Sequence, residues 1–180
     1  PAGAGARDVS ALCALMAGLG EAGVTSDDLA LALGGADELS LAQAACSVWC
    51  GGVPLAGIPL DLAGMLLVPA SPRALDVGGR EEVASFRLGI RYLFCDPLVM
   101  DLSLGSEATR LSLALMAATA VADSRPALEH LWDATPEIMG GDEDVLLEQT
   151  LSLLKARGKL ASSTAVAVRQ SLFYGQDFVR

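Results

Sequence analysis

From Leu39 to Leu60 the chain carries no charged side chain, and the centre of that run reads AACSVWCGGVPLAGIPL. An apolar run of this length can cross a bilayer. Here Gly51, Gly52, Pro54 and Pro59 break its helix, and no neighbouring span exists to satisfy the freed backbone groups. The run is therefore interior or contact surface of a folded domain. Cys46, Trp49 and Cys50 read as the inner face of a helix end. Because Pro cannot join a central ladder, residues 51–61 read as an edge or loop. Val53, Leu55, Ile58 and Leu60 in it are the candidate protein-interaction residues.

Composition sharpens this expectation. Apolar residues make up 52% of the 180 and charged residues 19%. Counting Gly and omitting Tyr, the apolar share is about 62%, against a norm of about 45–50%. Such a chain has too little polar surface to cover a lone globule. The excess is expected to lie against a protein partner or other copies of the chain.

Charge narrows the partner. The net charge is −10, and residues 1–72 hold one cation, Arg7, against seven acids. An acidic surface repels phosphate backbones. The best basic cluster, Lys155, Arg157, Lys159 and Arg169, reads as a solvated helix end, so nucleic-acid binding is not expected. Four scattered Cys make no disulfide framework and point to a cytoplasmic or other reducing compartment, or a host-cell interior for a viral protein. At the N-terminus, Arg7 and Asp8 are followed by an amphipathic pattern rather than the apolar core of a secretory signal.

The periodicity is mostly helical. Val9, Leu12, Cys13 and Met16 give a helix over 9–19 capped by Asp8, and the Gly18-Gly20-Gly23 cluster ends it. Ser26 with Asp27 and Asp28 opens a short second helix, closed by Gly34-Gly35. A third runs from about Leu41 to Cys50. Leu62 to Val68 fits either a helix or a strand, and residues 71–79 read as a loop. Phe86 to Phe94 and Leu98 to Leu104 alternate with period two, which predicts an antiparallel hairpin over about 85–104. Four further helices follow, starting at Ser106, Ser124, Asp142 and Ser162 or Ser163. The expected fold is a mainly α single domain over 8–175. It is a helical bundle of about seven helices with one short antiparallel hairpin, with 1–7 and 176–180 as flexible ends.

Motifs for chemistry fail one after another. Trp49-Cys50-Gly51 lacks a resolving thiol at position 53, which is Val. Cys46 and Cys50 lie one helical turn apart, but Cys13, Cys95 and His130 are scattered, so no four-ligand metal set forms. A Cys–His pair would need His130, the only histidine, and no G-x-S-x-G elbow occurs. Gly18-Leu19-Gly20-Glu21-Ala22-Gly23 matches GxGxxG in letters only, because a helix and not a strand precedes it. Gly158-Lys159 is followed by Leu160 rather than Ser or Thr, so it is no P-loop. Asp142, Glu143 and Asp144 suit a helix N-terminus without an ion.

No catalytic residue, metal ligand or cofactor is therefore expected. The leading expectation is a structural or protein-interaction subunit of an assembly, such as a viral coat or tegument protein, a secretion-machine component, or an adaptor. The alternative is a small enzyme or small-molecule carrier with an apolar pocket around 53–68, using Cys50.

Overall fold

The computed structural model describes residues 7–70, 73–86 and 89–173. It opens with helix α1 (Val9–Glu21), whose N-cap Asp8 accepts a hydrogen bond from the Ser10 amide at 2.7 Å. No second helix follows at once. Leu and Ala alternate from Leu29 to Leu33, and Ala30–Gly34 form strand β1. Asp28 closes a turn instead of capping a helix: its carboxylate accepts from the Thr25 amide (2.8 Å) and hydroxyl (3.0 Å).

The chain turns at Gly34-Gly35 into α2 (Ala36–Val48) and a 3-10 turn at Trp49–Gly51. It then enters β2 (Leu55–Pro59) and α3 (Leu62–Leu67). β2 lies parallel to β1, with Ala30 opposite Leu55 and Gly34 opposite Pro59. β5 (Tyr92–Leu93) adds in parallel on the other side of β2, giving the order β1-β2-β5. The Pro-bounded segment is thus the central strand, not an edge or loop. Pro54 precedes the strand and Pro59 is its last residue, so the residues between them keep every ladder N–H.

The hairpin expected over 85–104 is absent from the described residues, while Arg87 and Leu88 within it lie outside them. Alternation marks a half-buried strand but not its partner, and here Tyr92 and Leu93 pair with β2 in parallel. Met100 and Leu102, expected in the second strand of that hairpin, are buried against helices instead, and Leu98 is 91% exposed. The antiparallel pair falls earlier, its first strand where a loop is expected: β3 (Leu75–Val77) and β4 (Arg80–Ala84), joined at Gly78-Gly79 with positive φ at both.

The remainder is helical: α4 (Glu107–Asp123), α5 (Arg125–Met139), α6 (Glu143–Ala161), α7 (Val166–Gln170) and a 3-10 turn at Ser171–Phe173. α6 begins at its expected cap, where Asp142 accepts from the Val145 amide, and continues through Gly158. The fold class is corrected accordingly. It is a parallel α/β unit joined to a helical bundle, not a bundle with a hairpin insert. The main core runs through both, since Leu62, Met65 and Leu66 of α3 pack with Met116 of α4 and Leu146 and Leu153 of α6. Arg7, expected in a flexible end, is packed, as shown below; residues 1–6 and 176–180 lie outside the described residues.

The parallel sheet has one covered face. Ala30 and Ala32 of β1 and Leu55 of β2 pack with Cys46 of α2, where the small Ala side chains let the helix approach. On the other face Leu31 is 65%, Leu33 59% and Tyr92 47% exposed.

Candidate functional site

In open parallel sheets, ligands bind outside the carboxyl ends of the strands. Here that edge is built from the turns leaving β1 and β2. Gly34-Gly35 carries β1 into α2, and the Gly34 carbonyl accepts from the Leu60 amide at 3.0 Å, which fastens the two turns together. Asp61 then caps α3 by accepting from the Gly64 amide at 2.6 Å. Neither glycine of the first turn has room for a side chain, Gly35 because of the second turn and Gly34 because of the helix that follows it. A Cβ on Gly35 would lie 2.5 Å from Asp61 Oδ2, and one on Gly34 would lie 2.6 Å from the Glu38 Cβ.

A third turn joins the edge. The Asp101 amide donates to the Leu60 carbonyl at 2.8 Å, forming a parallel bridge between Asp61 and Asp101. These two carboxyls are driven apart in acidity. Burial pushes Asp61 up, helped by the like charges of Glu38, Asp37 and Asp101 and opposed by the Gly64 amide. Asp101 is exposed and held down by hydrogen bonds from the Ser103 hydroxyl (2.7 Å) and amide (3.1 Å).

Beside this edge stands an ion network. Arg7 Nε meets Asp37 Oδ1 at 2.9 Å, and Arg73 meets Asp37 at 3.2 Å and Glu82 at 2.9 Å. Asp76 accepts from the Glu82 amide, where φ is +53°. The network ties the first turn of α2 to the β3–β4 pair. Its two Arg are engaged by carboxylates and are not offered to a phosphate.

The residues singled out in the sequence do not converge on this edge. Val53 and Leu55 are 1% exposed and belong to the core; Ile58 and Leu60 are half-buried. Residues 53–68 contribute a strand and a helix to the interior. A cavity of about 170 Å³ lies elsewhere, between Leu102, Ser103, Ile138 and Leu146. Cys50 is exposed in the turn before β2, at the opposite end of the strand from Asp61, with φ of +50°. Burial raises the Cys46 and Cys95 thiols, which makes them poor nucleophiles. His130 is exposed on α5. Gly18 and Gly20 lie inside α1, so the GxGxxG letters mark a helix end. The basic cluster is split: Arg157 is buried and donates to Thr119 Oγ1, while Arg169 is turned onto the carbonyls of Ser163 and Thr164.

Gly34, Gly35, Asp61 and Asp101 are the functional candidates that sequence reasoning missed. The signal was present in LALALGGADE, an alternating strand followed by two glycines and a helix start.

No protein-family profile matches the sequence, and no curated protein matches it. Solved structures do match. A crystal structure of 2-deoxy-scyllo-inosose synthase complexed with carbaglucose-6-phosphate, NAD+ and Co2+ superimposes with a TM-score of 0.74 at 13% identity, covering 97% of this chain and 49% of that one. A second structure of 2-deoxy-scyllo-inosose synthase gives 0.71 at 13% identity, covering 94% and 49%. ValA, the 2-epi-5-epi-valiolone synthase from Streptomyces hygroscopicus subsp. jinggangensis 5008 with NAD+ and Zn2+ bound, gives 0.62 at 19% identity, covering 88% and 44%. The chain spans about half the length of the structures it matches.

These likenesses establish the fold. They also overturn the expectation of a structural, viral-coat or secretion-machine subunit, because the solved proteins that share this fold are enzymes, sugar phosphate cyclases. Of the groups bound in those structures, the dinucleotide does not fit the residues here. No three His, Cys, Asp or Glu among the described residues are placed to hold a metal ion. The strand–glycine–helix turn at Gly34-Gly35 has the order a dinucleotide pyrophosphate needs. However, Asp37 and Glu38 occupy the first turn of α2, and the Asp61 carboxyl fills the space over Gly35. Among the described residues, no helix is long and apolar enough to cross a membrane.

Proposed function

We propose that the chain supplies the ligand-binding sheet of an enzyme with the sugar phosphate cyclase-like fold. Its ligand is a carbocyclic polyol held through its hydroxyls at the carboxyl edge of β1 and β2. The fold likeness over 97% of the chain supports the class. The observation that carries the ligand reading is the Asp61–Asp101 pair at that edge, with Glu38 beside it. Carboxyls at such an edge accept from ring hydroxyls, as an acidic residue does for a ribose in dinucleotide folds. Burial makes Asp61 a weaker acid than Asp101, whose carboxylate Ser103 stabilises. The same acidity disfavours a phosphate.

Calorimetric titration with carbaglucose and with carbaglucose-6-phosphate tests this. The unphosphorylated ring is expected to bind at least about tenfold more tightly than its phosphate ester. Asp61→Asn or Asp101→Asn should weaken it about tenfold or more, the worth of one charged hydrogen bond. Tighter binding of the ester, or binding indifferent to both substitutions, overturns the reading. Four unbridged cysteines support a reducing compartment for this activity.

A further inference from the structure

Where α5 meets α6, the chain leaves space unfilled. Gly140 and Gly141 turn it, Gly141 with a φ of +88°, and Asp142 then caps α6. Gly141 brings no side chain to this joint, and nothing stands within 4 Å of where its Cβ would be. The turn after Asp101 lies against the joint, and the cavity of about 170 Å³ is enclosed between them. Its floor is hydrocarbon, since Leu102, Ile138 and Leu146 belong to the buried main core. Its mouth is formed by Ser103, Asp142 and Glu143, which are exposed. Among the described residues that line it are two acids and no base.

We infer that this cavity binds one compact apolar ring that carries a protonated amine, with the ring on the Leu and Ile floor and the amine at the mouth. Size supports the ring, because an apolar cavity of about 150 Å³ stays dry and takes up benzene. An unfilled space leaves its lining without partner atoms, and a ring of matching size restores those contacts. The sign of charge supports the amine. The positive end of α6 keeps Asp142 and Glu143 ionised, and no cation in the lining offsets them. A carboxylate or a phosphate is repelled by the same pair. A polyol is ill suited to the floor, where its hydroxyls would leave water and find no partner. The inference rests on the cavity alone and is independent of the polyol reading at the sheet edge.

Benzylamine, benzyl alcohol and benzoate, alike in size and different in charge, test this by titration into the full chain with its amide resonances as reporters. Benzylamine is expected to bind one-to-one and to shift the Gly141 and Leu146 amides. Benzyl alcohol should bind about fivefold more weakly, the worth of two exposed charge contacts. Benzoate should bind at least about tenfold more weakly than benzylamine. Glu143→Gln, at an exposed position, should weaken benzylamine about twofold and leave benzyl alcohol unchanged. Leu104→Trp, which extends a half-buried wall into the space, should abolish binding of both without changing the far-ultraviolet circular dichroism. Asp61→Asn should change neither affinity, which separates this site from the sheet edge. No saturable binding of benzylamine overturns the inference, as does benzoate binding as tightly as benzylamine. So do shifts confined to residues outside the lining, or loss of binding in Asp61→Asn. If Leu104→Trp loses its fold, the Glu143→Gln comparison and the resonance map decide.

Discussion

Gly35 has room for a hydrogen and nothing larger, because Asp61 Oδ2 stands where its Cβ would be. Gly35→Ala therefore has to displace the cap of α3 and is expected to destabilise by about 1–3 kcal/mol, as overpacking does. Urea denaturation measures this. In an Asp61→Ala background the same substitution should cost less, because the two side chains compete for one space. Asp61 also sets a pH signature. Its folded value lies above the unfolded value of 3.8 because burial and like charges disfavour the carboxylate. Between those two values the native state binds more protons than the unfolded chain, so this group's contribution to stability falls as pH rises through the window. Asp61→Asn keeps an acceptor for the Gly64 amide and removes the titration. The variant should gain stability relative to the parent across that window and keep the gain at higher pH. A difference that is flat from pH 3 to pH 7 would count against the assigned shift.

At the scale of elements, helices with caps and stripes were legible and strand partners were not. Asp8, Ser124 and Asp142 stand at the N-termini of α1, α5 and α6 with their side chains bonded to the first turn, because capping is local chemistry that a sequence displays directly. β1 was hidden by its flanks, since Ser26, Asp28 and Gly34-Gly35 supply both helix punctuation and turn chemistry. What decides between them is the distant β2, which pairs with every residue of β1. The carboxyl-edge site was illegible for the same reason: Asp61 and Asp101 are forty positions apart and meet only through the Leu60 carbonyl. The sheet's two faces give a further expectation. Leu55→Ala, in the buried face of β2, should cost about 2–5 kcal/mol. Leu31→Ala, on the open face of β1, should stay within about 0.5 kcal/mol. Equal losses in urea denaturation would show that the open face is covered in the isolated chain.

For the molecule as a whole, a backbone resembling enzymes solved with Co2+ or Zn2+ carries one histidine, exposed on α5. The apolar excess that the composition announces is real, but it is distributed differently from the sequence expectation. Val53 and Leu55 consume their share inside the sheet, while Leu31, Leu33 and Tyr92 leave theirs on the surface.

Helix α3 spans only Leu62–Leu67, yet its cap is Asp61 at the sheet's edge and its Met65 and Leu66 are fully buried against α4 and α6. One short rod is thus hinge pin to both neighbours. A molecule gripping the acid at its tip is expected to stiffen the helices packed on Met65 and Leu66. Heating should accordingly give a single calorimetric transition in which sheet and helical bundle are lost together.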